Sequence, residues 1–321
     1  MRIVGIALAC CFCSILPAGG QDAAGKVPTI GFLSPATAET VRAPLLREAL
    51  AKHGFVEGKN VRVDVRVAEG KLERLPELAE ALVRDGATLI FATGDSAGLA
   101  AQVATKTLPI VMIGDDLVGS GLVTSLARPG GNITGVSILA TELDAKRIEV
   151  LKELLPDAQR MGVLNDPTTS GPSRPKGMVE TATRLGVVLE TVDVRGPDDL
   201  DAAFKEFKAS SVAGINIVSS SLLFNLRPRL GELTLAAGIP AICQFREMVE
   251  LGCLASYGIL LADLYALSAD QIAKLLRGAK PADLPVAQPS RFELIISLKT
   301  AKTLGLTVPP AVLARADEVI E

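Results

Sequence analysis

The segment Gly94-Asp95-Ser96-Ala97-Gly98 fits G-x-S-x-G and lies between a strand-like run and a helix-like run. That is the setting in which a tight turn presents a serine nucleophile. Such a serine needs a base. The chain has a single histidine, His53, which precedes the serine, whereas this motif's hydrolase order puts histidine last. His53 also falls in Ala51-Lys52-His53-Gly54, a helix end where an imidazolium favours the dipole. An α/β serine hydrolase using Ser96 is therefore the weakest alternative. The same turn has a gentler chemistry. A glycine turn opening a helix leaves backbone N–H groups to bind a carboxylate, with the Thr93 and Ser96 hydroxyls beside them. Helix capping by Thr93 or Asp95 explains these residues as well.

Other strand ends carry groups of the same neutral kind. Gly114-Asp115-Asp116-Leu117 follows a strand, and Asp116 could accept from a ligand ammonium or cap the next helix, with capping favoured on residue type. In the second half, Asn165-Asp166-Pro167, Ser219-Ser220-Ser221 and Gln244 occupy equivalent positions. Hydroxyls and amides of this sort orient a small polar solute without breaking bonds, and turns use them too. Phe32, Phe91, Phe245 and Tyr257 could line a pocket, although core packing is the simpler role for the phenylalanines. Gly20 to Lys26 has P-loop spacing, but Val27 replaces the magnesium-binding hydroxyl and no strand precedes it. No dinucleotide fingerprint or metal-ligand spacing occurs, so neither a cofactor nor a metal is expected.

What must position these groups is a repeated strand–helix rhythm. Strand-like runs at Thr29–Leu33, Val61–Val67, Thr88–Ala92, Ile110–Ile113 and Ile133–Ser137 alternate with helical stretches, the last a short helix around Leu122–Ala127. A second series follows, with strands at Arg160–Leu164, Val187–Val194, Gly214–Val218, Ile239–Cys243 and Cys253–Tyr257. Each unit implies a right-handed crossover onto a parallel sheet, and two series imply two doubly wound, Rossmann-like lobes. The helix Asp263–Arg277, a Pro-rich connector and the strand-like Phe292–Ser297 are too small for a third domain. They return across the boundary, which gives one lobe of 27–137 plus 257–286 and another of 138–256 plus 287–321. Several crossings make a hinge.

The N-terminus reads differently. Arg2, the apolar run Ile3–Leu16 and a small-residue stretch to Ala24 form the pattern of a secretory signal peptide over 1–24. An ordinary buried helix is the alternative, and Cys10 could instead be a lipid-modified terminus. The mature chain would keep only Cys243 and Cys253, read as two buried free thiols although an oxidising compartment would allow a bridge. A net charge of -3 provides no basic field for nucleic acid, and 49% apolar residues suffice for two cores.

Several blocks carry a family resemblance. They are Ile30-Gly31-Phe32-Leu33-Ser34, Ser125-Leu126-Ala127-Arg128-Pro129-Gly130-Gly131-Asn132-Ile133-Thr134-Gly135-Val136, Ser256-Tyr257-Gly258, Gly278 to Val286, Ala301 to Leu306, and Ala314 to Ile320. On these the chain resembles the ABC-transporter substrate-binding proteins of the tryptophan/tyrosine type. The resemblance implies a type I periplasmic-binding fold, a ligand held between lobes, and docking of the closed form on a membrane permease. It departs from the family at Leu117, Cys253 and Ser297, where proline, glycine and asparagine are usual. An exported, periplasmic, monomeric solute-binding protein is thus expected, capturing an amino acid or related carboxylate. Ser34, Thr93, Gly94, Ser96 and Asp116 would serve from the first lobe, and Asn165, Ser219, Ser220 and Gln244 from the second. A sensor-type module of the same fold is the other alternative.

Overall fold

The computed structural model describes residues 27–168 and 173–321. The expected leader, with its three cysteines and the P-loop-like segment, lies outside the described residues.

Short β-branched and apolar runs form the first sheet: β1 (Thr29–Ser34), β2 (Arg62–Val67), β3 (Leu89–Thr93), β4 (Ile110–Gly114) and β5 (Ile133–Ser137). Its order is β2-β1-β3-β4-β5, and every pair is parallel. The order reverses direction on either side of β1, so helices cover both faces. Helices α1 (Ala43–Lys52), α2 (Leu75–Arg84) and α3 (Asp95–Ala104) follow β1, β2 and β3. Pro44 and Pro76 occupy the first turns of α1 and α2, where a missing N–H costs nothing.

The second sheet is built from β6 (Arg160–Asn165), β7 (Val188–Asp193), β8 (Ile215–Ile217), β9 (Ala241–Cys243), β10 (Ala255–Gly258), β11 (Glu293–Ser297) and β12 (Glu318–Ile320). Its order is β12-β11-β10-β9-β8-β6-β7, parallel except where β10 meets β11. Helices α4 (Ala140–Leu154), α5 (Ser173–Arg184), α6 (Leu200–Ala209), α7 (Ser221–Asn225), α8 (Arg227–Ala237) and α9 (Arg246–Val249) connect its strands. One continuous core, from Ile148 to Val312, fills this half.

The chain passes between the sheets three times. It leaves β5 for α4 through Leu139, which adopts the left-handed conformation with φ 56°. It returns after β10 into α10 (Leu261–Leu276), whose Tyr265, Ala269, Ile272 and Leu275 join Phe32 and Phe91 in the first core. It crosses again between Ala287, bridged to Val136, and β11. Tyr257 and Gly258 pair with Leu294 and Glu293, so both stay with the second sheet, two residues past the boundary read from the sequence. A small apolar cluster of Val136, Ile138, Leu143, Ile259 and Leu264 packs where the crossings meet. The tail completes the second half with α11 (Leu298–Thr303) and α12 (Pro310–Leu313) before β12.

The short helix expected near Leu122–Ala127 is absent; residues 117–127 form turns and bends. The reason is local competition. Gly121 has φ 69°, and the Thr124 and Ser125 hydroxyls donate to the Arg128 carbonyl at 2.8 and 3.0 Å. Side chains that bond nearby carbonyls divert the backbone from helix. Among the described residues, no helix is long and apolar enough to cross a membrane.

Candidate ligand-binding site

The carboxyl ends of both sheets face a cleft with a cavity of about 110 Å³, sized for one small solute and not for a polymer. Open α/β sheets place ligands at this end of their strands. From the first lobe come Ser34 at the end of β1, Thr93 and Gly94 at the end of β3, Asp115 after β4, and Arg42 ahead of α1. From the second come Ser219, Ser220, Ser221, Phe224 and Phe245. Apolar walls are supplied by Val41, Ile113, Ile138, Leu261, Leu264 and Tyr265.

The two sides approach very closely at Gly94. Its φ is 86°, and an added Cβ would stand 2.4 Å from the Ser221 hydroxyl across the cleft. Glycine is needed here both for its backbone conformation and for that approach. Beside it, the Thr93 hydroxyl donates to Ser34 Oγ at 2.9 Å. Ser220 caps α7 by accepting from the Leu223 N–H, and its hydroxyl donates to Asp166 Oδ2 at 2.5 Å.

A buried ionic network also joins the lobes. Arg174, at the start of α5, donates to Asp115 Oδ2 at 3.1 Å, to Asp144 Oδ2 at 2.5 Å and to the Ser219 carbonyl at 2.7 Å. The Ser219 hydroxyl donates to Asp115 Oδ1 at 3.3 Å, and Arg147 pairs with the far side of Asp144. Burial raises the Asp115 carboxyl; Arg174 opposes this, while Asp95 and Asp144 add to it, and the group is pushed up to about 7. Burial acts the same way on Asp144, but Arg147 and Arg174 on either side outweigh it and hold that carboxyl below its ordinary value. Burial likewise raises Asp95, which accepts from the Asp115 N–H at 2.9 Å and so fixes the loop after β4.

Of the residues singled out from the sequence, Ser34, Thr93, Gly94, Ser219 and Ser220 share the cleft wall. The others stand elsewhere. Ser96 is half-buried in the first turn of α3, outside the lining. Asp116 accepts from the Gly119 N–H at 2.8 Å and closes a turn. Asn165 donates to Asp193 Oδ1 at 2.8 Å. Gln244 is 3% exposed and packs against Gly258 at the end of β10. Phe245 lines the cleft, whereas Phe32 and Phe91 pack with Tyr265 and Tyr257 stacks on Phe292. His53 ends α1, and its backbone carbonyl accepts from Arg277.

Sequence reasoning missed Asp115, Arg42 and Arg174. Asp115 adjoins Asp116, and no pattern distinguishes neighbours in a turn. Arg42 and Arg174 sit at the starts of helices, where an arginine ordinarily reads as solvated. The Arg-Pro-Gly-Gly-Asn-Ile-Thr-Gly block is structural. Asn132 donates to the Leu108 and Thr105 carbonyls at 2.7 and 3.3 Å, and Thr134 donates to the Leu284 carbonyl at 2.8 Å. Gly135 presses on Met112, whose carbonyl oxygen would stand 2.0 Å from an added Cβ.

Two doubly wound lobes, three crossings and a cleft lined from both sides define the class: the type I periplasmic-binding fold. The family model described as ABC transporter substrate binding protein matches residues 30–320. The chain belongs to that family, and its role is that of the solute-binding component of an ABC transporter. It is 26% identical to the tyrosine-binding protein of Clostridioides difficile, over 81% of this chain and 75% of that one. It is similar to an ABC domain from Streptococcus pneumonia in complex with L-Trp, at 28% identity and TM-score 0.82, covering 92% of this chain and 100% of that one. A ligand-free, open substrate-binding protein with adhesive properties from Clostridium difficile fits less well. It has 25% identity and TM-score 0.66, with 92% of this chain and 99% of that one covered.

Proposed function

We propose that this protein, exported by its N-terminal leader and working as a monomer in the periplasm, captures an amino acid or related carboxylate by hinge closure and delivers it to a membrane permease. The observation that carries this reading is the cleft shared by both lobes, with Gly94 and Asp115 meeting Ser221, Ser219 and Arg174 across it. Only a ligand that contacts both sides gains affinity on closure, and only such differential affinity shifts the equilibrium between open and closed forms. The similar tyrosine-binding and L-Trp-bound proteins support a ligand of this class.

Ser34, Thr93, Gly94, Ser219 and Ser220 are the proposed ligand contacts. Ser96, Asp116, Asn165 and Gln244 have supporting parts in cleft formation, through turns and strand ends. The cleft offers hydroxyls and an ion pair, groups that orient a small polar solute. A thermal-shift screen of amino acids and aromatic acids tests the proposal, since a ligand present at 100 times its Kd stabilises the folded protein by about 2.7 kcal/mol. Small-angle scattering should show contraction of an open form with the same compound. Stabilisation by sugars alone, or none by any solute, would overturn it.

A further inference from the structure

Two charged residues line the cleft, and they are not equivalent. Asp115 has both carboxylate oxygens engaged, one by Arg174 and the other by the Ser219 hydroxyl. A ligand ammonium would have to displace a guanidinium that is only 2% exposed beside Asp144. Arg42 is the opposite case. It precedes α1 and lies half-buried on the cleft wall, and its side chain makes no hydrogen bond or ion pair among the described residues.

A second guanidinium comes toward it from the other lobe. Arg227 is 9% exposed, lies 4.4 Å over the ring of the cleft residue Phe224, and donates to the Phe224 carbonyl at 2.8 Å. Burial disfavours its charge, the charge of Arg42 disfavours it further, and Glu247 offsets this in part. Closure therefore brings like charges together from opposite lobes, and repulsion of that kind grows as water leaves. An anion held by Arg42 on the cleft wall offsets this repulsion, which is the kind of contact that favours closure. The facing walls, Val41, Ile113, Ile138, Phe224, Phe245 and Leu264, suit an apolar body.

We propose that the preferred ligand is a net-anionic carboxylic acid with an apolar, ring-sized body, and that Arg42, supported by Arg227, selects it over the zwitterionic amino acid of the same skeleton. This rests on the solute-binding reading and names the member of its ligand class.

The test is calorimetry on the purified protein with three compounds of one skeleton, 4-hydroxyphenylpropionate, tyrosine and tyramine, and with a neutral polyol. The acid should bind at least about tenfold tighter than tyrosine, and tyramine should not bind. Arg42→Gln should weaken the acid by about ten- to hundredfold, the worth of a charged hydrogen bond. Arg42→Lys keeps the charge and should recover part of the loss, which separates charge recognition from misfolding. Tyrosine binding as tightly as the acid, or an unchanged affinity in Arg42→Gln, overturns the charge selection and leaves solute binding standing. Binding of the polyol alone, or of none of the compounds, overturns both.

Discussion

At the scale of single residues, the cleft depends on groups that meet only when the lobes are together. Gly94 is the sharpest case, because its φ of 86° and its distance from Ser221 act in different states. That backbone, with φ 86° and ψ 153°, is essentially reserved for glycine and costs an alanine about 1–3 kcal/mol wherever the lobes stand. The clash with the Ser221 hydroxyl arises only on closure. Gly94→Ala should therefore lower ligand affinity by about tenfold or more, while the melting temperature without ligand falls by only a few degrees. Ser221→Ala in the same chain removes the oxygen and should restore part of the affinity, a coupling that a double-mutant cycle measures directly. Equal losses with and without Ser221→Ala would show that closure is not obstructed there.

At the scale of elements, the strands and crossings fix where those residues stand. The loop from Asp115 to Asn132 joins β4 to β5, and its turns replace the helix that apolar spacing alone suggests. Asn132 ties this loop to the end of α3 through the Thr105 carbonyl and to the approach to β4 through the Leu108 carbonyl. Asn132→Ala should cost about 1–3 kcal/mol of stability, seen as a shifted denaturation midpoint, with ligand affinity unchanged within about twofold. A large affinity loss at constant stability would place the block in the site instead. Leu139 shows the same division at the first crossing. A non-glycine residue in the left-handed region is costly, and it persists because the surrounding cluster of Val136, Ile138 and Leu143 holds it.

For the whole molecule, the network through Asp115, Arg174 and Asp144 makes stability depend on pH in two opposed ways. Asp115 rises from an ordinary 3.8 to about 7 on folding, so between those values the folded protein keeps a proton that the unfolded chain releases. Its contribution falls as pH rises through that window, by at most about 1.4 kcal/mol per pH unit, and is constant above it. Asp144 has the reverse sign: its stabilisation is present at neutral pH and is lost in acid as pH falls through its lowered folded value. Melting temperatures of the wild type and Asp115→Asn, compared from pH 4 to 8, should diverge, the wild type losing more stability toward pH 7. Parallel curves would mean that the carboxyl is not held up.

Periodicity and composition by themselves determined the α/β class, the two strand–helix series and the return of a C-terminal helix. Burial of alternating apolar residues is a local property, and Ile110-Val111-Met112-Ile113 reads as a buried strand wherever it is placed. Tertiary structure alone decided which strand-end groups share a cleft. Asp115 and Asp116 are chemically identical neighbours, yet one meets Arg174, 59 residues away, and the other closes its own turn. Gly94 meets Ser221 and Arg42 meets the field of Arg227 only because two separate cores bring distant loops together. Pairing across a cleft depends on distance in space, which local residue pattern does not encode.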